Sequence, residues 1–235
     1  MKIKFTILGC GSSLGIPRID GYFGKCSPDE PKNFRTRCCA LVSSGKKNIL
    51  IDTSPDIKTQ LIKAKVKNID KVFYTHPHAD QTHGINELRV FYLKNKKRLP
   101  VYADKYTAKY LLQSFGYCFK GNKDYPATLS LNSLKSIHSI NKKKKISLRS
   151  ITVQHGLIKS ICFIINKKCA YASDVSKIFK KDIKYFKNLK FLIIDCLRYQ
   201  KHPSHFNLSE ALDFINLVKP KKAILTNLNN EIDYR

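Results

Sequence analysis

The chain has 235 residues, 43% of them hydrophobic, and a formal net charge of +27. This length is typical of one α/β or all-β domain, so we expect residues 1–235 to form a single domain with a buried core. No apolar run is long enough to span a bilayer, and Lys4 interrupts the apolar start where a signal peptide would need a longer run. We therefore expect a cytoplasmic protein without a membrane partner.

Short apolar strands dominate the first half of the chain. Strands are predicted at "KIKFTIL", "CALVSS", "NILID", "KVFYT" and "PVYA". The second and third strands flank "GKK" and read as a hairpin. Helices are predicted at "SPDIKTQLIKA", with a serine cap, at "GINELRVFYL", and at "DKYTAKYLLQSF", also capped. Residues 116–133 have no clear assignment.

The second half of the chain also alternates short apolar strands with helices. Strands are predicted at "ISLRSITVQH", "SICFIIN", "CAYAS", "KFLIIDC" and "KAILTN", with the second and third paired as a hairpin. Helices are predicted at "VSKIFKKDIKYF" and "LSEALDFINLV". Two strand-rich halves with helices indicate an α/β fold, in which a sandwich of two sheets is covered by helices on its outer faces.

The positive charge has two interpretations. It would suit nucleic acid or another polyanion. The excess is mainly lysine, however, accompanied by many isoleucines and asparagines, and an AT-rich genome imposes that composition. The lysine runs at residues 94–98, 142–145 and 219–222 lie at apparent turns, where a solvated surface also explains them. Arginine is scarcer, so its positions are more informative.

Eight cysteines are present, and none form a C-x-x-C pair. Several lie inside apolar runs such as "SICFII" and "LIIDCL". Buried reduced thiols are therefore a better interpretation than a disulfide or zinc framework.

Polar residues with ligand or catalytic chemistry recur at one kind of position. Each lies at or just after the end of a hydrophobic strand: His76, His155, Asp174, Asp195 and Asn227. Active sites assemble from such positions on a rigid scaffold. Chance would scatter these residues among helices and turns as well.

The stretch "THPHADQTHGI" carries the strongest metal-binding signal. His76 and His78 are two residues apart, so on an extended backbone their side chains point the same way. Two imidazoles and a distant third make an open catalytic zinc site, and Asp80 adds an oxygen ligand for a second metal. The alternative is a surface histidine cluster. His155 and Asp174, each at a strand end, favour the metal site.

Four motifs resemble, in order, the metal motifs of the metallo-β-lactamase-fold hydrolases: "THPHADQTHGI", "VQHG", "AYASD" and "AILTN…DY". The stretches "LGCGSSLGIPR", "GKCSPDEPKNFRTR" and "HPSHFNLSEAL" are similar to the branch that contains phosphoribosyl cyclic-phosphate phosphodiesterase. This resemblance covers nearly the whole chain. It implies a four-layer αββα sandwich with two metals, usually zinc or manganese.

The resemblance also implies a ligand set. The first metal would take His76, His78 and His155. Asp174 would bridge the metals, and Asp80, which counts among the catalytic residues, would bind the second. The family's two remaining histidines fall on Gln81 and at or near Asn229, whose amide oxygens are weak zinc ligands. We therefore expect one tight metal, a second that is weak or absent, and reduced activity.

Further residues have roles that the resemblance suggests. His205 matches a histidine that acts as general acid toward the leaving group; the alternative is an ordinary loop histidine. An aspartate of the "IDTSPD" turn, Asp52 or Asp56, would buttress the histidine loop.

Three arginines surround a Pro/Gly-rich loop: Arg18, Arg35 and Arg37. Guanidinium groups suit phosphate oxygens, so these residues are candidates for substrate binding. Surface or structural pairing is the alternative for all three.

Three functions remain open. The first is a metal-dependent phosphodiesterase of low activity, acting on a small phosphorylated or cyclic-phosphate substrate. The second is ribonuclease Z-like RNA processing, which the charge suits although no Gly/Pro-rich arm for gripping tRNA is visible. The third is a degenerate relative that binds a nucleotide without turnover. The family usually continues beyond "DY" with another segment and a strand, whereas this chain ends at Arg235. We therefore expect a shortened end, which together with the two replaced histidines fits a decaying or a repurposed protein. Relatives are often dimers, so a homodimer is also an expectation.

Overall fold

The computed structural model describes residues 3–140 and 146–235. The lysine run at 142–145 lies outside these residues; the runs at 94–98 and 219–222 are largely exposed, as a solvated surface requires. The chain divides into two compact units. The first comprises the N-terminal strand through Gly9 together with Arg37–Leu134, and the second comprises Cys10–Thr36 and Lys135–Arg235.

The first unit contains a mixed six-stranded sheet whose spatial order follows the chain order. Its strands are β1 (Lys4–Gly9), β2 (Cys39–Ser44), β3 (Lys47–Ile51), β4 (Lys71–Phe73), β5 (Leu99–Ala103) and β6 (Leu129–Ser133). Strands β1 to β3 are antiparallel, and β3 to β6 run parallel. The β2–β3 pair confirms the predicted hairpin. The parallel half brings the carboxyl ends of β3 and β4 to one edge.

Helices follow the parallel strands of this unit. They are α1 (Ile57–Lys63), α2 (Ala79–Thr82), α3 (Arg89–Asn95), α4 (Lys105–Ser114) and α5 (Gly116–Phe119), with a 3-10 turn at Ile85–Leu88. The Asp104 carboxylate accepts from Thr107 N at 2.8 Å and caps α4 as predicted. The expected serine cap of α1 is wrong. Asp56 occupies the cap position, and Ser54 Oγ instead accepts from the Asp56 amide within the preceding turn.

The second unit contains another six-stranded sheet, in the order β12–β11–β10–β9–β8–β7. Its strands are β7 (Ile137–Ser139), β8 (Ser147–His155), β9 (Ile158–Ile165), β10 (Cys169–Ala172), β11 (Phe191–Asp195) and β12 (Ala223–Thr226). The β9–β10 pair is the predicted hairpin, and β10 to β12 are parallel. Helix α6 (Leu208–Val218) begins with a capping box formed by Asn207 and Glu210.

The helix expected over "VSKIFKKDIKYF" is wrong. Only a 3-10 turn forms, at Lys180–Tyr185. The residues before it are tied to β8, because Gln154 N donates to Lys177 O at 2.9 Å. Val175 and Ile178 are buried in the core without a helix. The backbone pairing with β8 thus takes the place of the first helical turn.

Cysteine burial agrees with the sequence-based expectation. Seven cysteines are buried and Cys10 is partly buried, and in the described residues, which include all eight, no cysteine forms a disulfide. Burial raises the pKa of Cys169 and of Cys196 to about 12. Among the helices of residues 3–140 and 146–235, none is long and apolar enough to cross a membrane.

Gly84 lies where the segment after α2 packs against the turn that follows β3. Its amide donates to Thr53 O at 2.9 Å. A Cβ at this position would lie 2.0 Å from Ser54 O and 2.6 Å from Ile57 Cγ2. Only glycine allows this approach, which fixes the segment beside the "HPHAD" stretch.

We expect Gly84→Ala to lower the free energy of unfolding by about 1–3 kcal/mol, because the added methyl group meets backbone that must shift. Urea unfolding measures this change. Gly116→Ala is the matched control, since nothing lies within 4 Å of its Cβ position. Equal stability of the two variants would contradict the packing argument.

Candidate metal centre

The "HPHAD" stretch lies in the first unit, between β4 and α2. His76 is buried and His78 is exposed, with ring centroids 4.6 Å apart. The Thr82 hydroxyl donates to His78 O at 2.9 Å and closes the loop onto α2. His83, by contrast, bonds the Tyr110 hydroxyl at 3.0 Å through Nε2. The two histidines of the H-x-H motif therefore form a pair in which His83 has no part.

Asp52 fixes this loop from beneath. Its fully buried carboxylate accepts from Thr75 N at 2.7 Å and from the Thr75 hydroxyl at 2.9 Å. The predicted buttressing role is thus confirmed for Asp52. Asp56 has a different contact, because it forms an ion pair with Arg37 at 2.9 Å.

The Asp52–Thr75 contact also sets the tautomer of His76. A carboxylate only accepts, so the Thr75 hydroxyl proton points at Asp52. Thr75 Oγ1 must then accept from His76 Nδ1, which lies 3.0 Å away. The lone pair of the neutral ring is consequently on Nε2, the arrangement in which a metal-ligating histidine is held by its other nitrogen.

Gln81 contacts the neighbouring carboxylate. Its Nε2 donates to Asp80 Oδ2 at 3.1 Å, and its backbone oxygen accepts from Thr53 N at 2.7 Å. Gln81 itself is buried. The Gln81 side chain therefore positions the Asp80 carboxylate, the expected oxygen ligand.

The second unit carries the remaining predicted ligands. His155 ends β8, and its Nδ1 donates to Ser204 O at 2.7 Å, so its lone pair also lies on Nε2. Asp174 follows β10. Ligand atoms of His155, Asp174 and His205 all lie within 4.8 Å of one another. Imidazole nitrogens and a carboxylate oxygen at this spacing form a donor set that suits zinc or another divalent metal.

His205 is held by a buried acid. Its Nδ1 lies 2.7 Å from Asp195 Oδ2, which also accepts from Val175 N at 2.9 Å. Burial raises the pKa of Asp195 to about 7, and the positive charge of His205 opposes that rise. Because Nδ1 faces the Asp195 carboxylate, Nε2 is the ring nitrogen of His205 that is available to a ligand or substrate.

Asn227 completes this cluster. Its amide nitrogen donates to Ser173 O at 3.0 Å and to Asp174 Oδ1 at 3.2 Å. Sequence reasoning placed Asp195 and Asn227 at strand ends but gave neither a role. Their strand-end position was the available signal, and the contacts assign both to the support of Asp174 and His205.

The three candidate arginines have different surroundings. Arg35 is buried and donates to Ile232 O at 2.7 Å and to Asn33 Oδ1 at 2.8 Å. These contacts, and the ion pair of Arg37, favour structural pairing for both residues. Arg18 is paired with Asp20 at the surface and stands 5.0 Å above the Tyr22 ring.

Arg18 lines a polar cavity of about 490 Å³ in the second unit. Two more cations, Lys25 and Arg198, and one carboxylate, Glu231, also line it. Arg198 donates to Lys201 O at 3.0 Å, within the segment that leads from β11 to His205. The excess of cations makes this cavity suitable for an anion.

Residues 47–226 match the family model of the beta-lactamase superfamily domain. The chain therefore belongs to the beta-lactamase superfamily. Two mixed sheets and six α-helices in the described residues agree with this assignment, and the predicted α/β class and the metallo-β-lactamase fold are confirmed.

Individual relatives differ in their named activities. A crystal structure of a diphosphatase from the PhnP family has a TM-score of 0.89 and 27% identity, covering 99% of this chain and 88% of that chain. Human tRNase Z, short form, has a TM-score of 0.69 and 18% identity, with coverage of 97% and 93%. An octanoyltransferase of Porphyromonas gingivalis (strain ATCC BAA-308 / W83) is 29% identical over 232 residues, which are 97% of this chain and 46% of the relative. The chain thus spans about half the length of this curated relative.

We expect Thr75→Val to lower the free energy of unfolding by about 1–3 kcal/mol, because the buried Asp52 carboxylate loses a donor. The His76 ring also loses the acceptor at Nδ1, so nitrogen NMR should show both neutral tautomers instead of one. Thr107→Val, at another buried threonine of the same unit, is the control. An unchanged His76 spectrum in Thr75→Val would refute the tautomer assignment.

Proposed function

We propose that the chain is a metal-dependent phosphodiesterase acting on a small phosphate-containing substrate, a phosphorylated or cyclic-phosphate compound. The observation that carries the proposal is the position of His205. A histidine backed by a buried aspartate lies within 4.8 Å of the ligand atoms of His155 and Asp174. That combination supports a role for His205 as a proton donor next to two candidate metal ligands, His155 and Asp174. Similarity to a diphosphatase at 27% identity supports phosphate chemistry.

One divalent metal, zinc or manganese, would be held by His76, His78 and His155, with Asp174 as a further ligand. In both buried histidines the backing hydrogen bond occupies Nδ1, so Nε2 is the nitrogen that would bind the metal. When bound, such a metal lowers the pKa of water to about 7 and polarises a phosphoryl oxygen. A second metal would depend on Asp80 and on amide oxygens, and we infer that it is weakly held.

The contacts of the Gln81 and Asn229 side chains support a weaker second metal site. Gln81 directs its nitrogen, which cannot ligate a cation, at Asp80. Asn229 Oδ1 accepts from Glu231 N at 2.9 Å, a hydrogen bond within its own turn. Neither residue supplies the imidazole that the family has at these positions. Reduced activity would follow.

His205 would protonate the departing alkoxide from Nε2. The Asp195 carboxylate would stabilise the imidazolium before the transfer, in the manner of other acid-supported histidines. The cationic cavity at Arg18, Lys25 and Arg198 would attract the anionic substrate. We extend the proposal to a cytoplasmic, single-domain protein that works as a homodimer.

Two rival functions have observations in their favour. The net charge of +27 favours ribonuclease Z-like RNA processing, and Gln81 and Asn229 favour a non-catalytic relative that binds a nucleotide. Octanoyl transfer is not proposed, because the match covers 46% of the relative with that name.

Metal content per chain, measured alongside hydrolysis of bis(p-nitrophenyl) phosphate with added manganese or zinc, tests the proposal. We expect about one tightly bound metal, and His78→Ala should lose both the metal and turnover because an open site has few ligands to spare. His83→Ala, with a histidine of the same stretch removed, is the control and should keep both. A metal-free, inactive wild-type protein would favour the non-catalytic relative.

The general acid is tested by varying the leaving group. We expect His205→Ala to slow hydrolysis of an alkyl phosphodiester by about 10²–10⁴-fold, and of a p-nitrophenyl ester far less, since p-nitrophenolate leaves without a proton. His202→Ala removes a histidine whose ring lies 5.1 Å from that of His205 and should show no such dependence. Equal losses on both substrates would assign His205 to the metal or to structure.

A further inference from the structure

A second cavity, of about 450 Å³, lies entirely within the first unit. One wall is the helical face that carries Asn86, Arg89, Tyr92 and Leu93, at the spacing of successive helical turns. None of these residues belongs to the "HPHAD" stretch. Its volume lies within the range of small-ligand sites, about 300–1,000 Å³.

The opposite wall is α5 and the loop that follows it. The Tyr117 hydroxyl and Cys118 Sγ both donate to Asn86 Oδ1 and join the two walls. Asn122 Oδ1 accepts from Tyr125 N at 2.7 Å, which holds the loop in a turn. The cavity is therefore bounded by packed elements on both sides.

Its lining combines rings with positive charge. Tyr92, Tyr117 and Tyr125 contribute three aromatic side chains, and Arg89 and Lys120 contribute two cations. Among the described residues that line the cavity, none carries a carboxylate. Tyr117 is 61% exposed and Tyr125 is 66% exposed. Exposed rings beside cations suit a ligand that has a planar ring and an anion.

We propose that this tyrosine pocket binds one nucleotide. The base stacks on the tyrosine rings, and the phosphate pairs with Arg89 and Lys120. The nucleotide could be free or could belong to an RNA strand, since the recognised chemistry is the same. This site is independent of the proposed hydrolytic centre and does not require its activity.

A second copy of the chain is a poorer occupant. The pocket itself contributes two cations, Arg89 and Lys120. Apposing two such surfaces would bring like charges together, which is unfavourable. An anionic ligand removes that repulsion.

Calorimetric titration of the full-length protein with AMP, adenosine and ribose 5-phosphate tests the proposal. AMP should bind more tightly than either fragment, because only AMP engages both the rings and the cations. Arg89→Ala should raise the dissociation constant of AMP about tenfold or more, and Tyr125→Ala about fivefold or more. Arg98→Ala and Tyr106→Ala remove exposed residues of the same types outside the pocket and should leave it unchanged.

His78→Ala separates this pocket from the hydrolytic centre. AMP binding should persist in His78→Ala, and Tyr125→Ala should hydrolyse bis(p-nitrophenyl) phosphate at the wild-type rate. AMP binding that disappears in His78→Ala but survives Arg89→Ala would overturn the proposal. So would ribose 5-phosphate binding as tightly as AMP, or a dimer that dissociates in Tyr125→Ala without any AMP binding.

A short oligoadenylate identifies the source of the nucleotide. Binding at least tenfold tighter than AMP, steeply weakened by salt and lost in Arg89→Ala, would indicate an RNA strand. Equal affinity for AMP and the oligoadenylate would indicate a free nucleotide. Failure of both to bind would overturn the proposal while leaving the hydrolase proposal intact.

Discussion

A buried carboxylate at the end of a strand is the constraint on which each unit's functional loop depends. Asp52 follows β3 and accepts the amide of Thr75, after the parallel neighbour β4. Asp195 ends β11 and accepts the amide of Val175, after the parallel neighbour β10. A buried amide without such an acceptor would be costly, so each aspartate fixes the chain where it leaves the sheet.

Each aspartate also accepts from a side chain, and this second bond connects the fold to its chemistry. Asp52 orients the Thr75 hydroxyl, which in turn orients His76. Asp195 holds His205 directly. The intervening hydroxyl separates the carboxylate from the ring in the first unit, which suits a neutral ligand histidine. In the second unit, the direct contact of the Asp195 carboxylate with His205 favours the positively charged form of the ring, which suits a proton donor.

The sequence predicts the features that depend on local pattern. Both hairpins, the strand ends at His155 and Asp195 and the Asp104 cap follow from periodicity and turn chemistry. The prediction of a helix over residues 175–186 is wrong because the pairing of Lys177 with Gln154 cannot be read from the local spacing of apolar residues. The burial of Arg35 could not be predicted from the sequence for the same reason, since its carbonyl partner belongs to Ile232, far along the chain.

The cationic side chains of the protein have different surroundings in different places. Arg18, Lys25 and Arg198 line a polar cavity in the second unit, while Arg89 and Lys120 lie among tyrosines in the first. A solvated surface explains lysine-rich turns such as residues 219–222, but it does not explain arginines beside rings or amides. The charge therefore has two components, a solvated background and the cations that line two cavities. Only the second component can distinguish one anionic ligand from another, because it alone combines charge with shape.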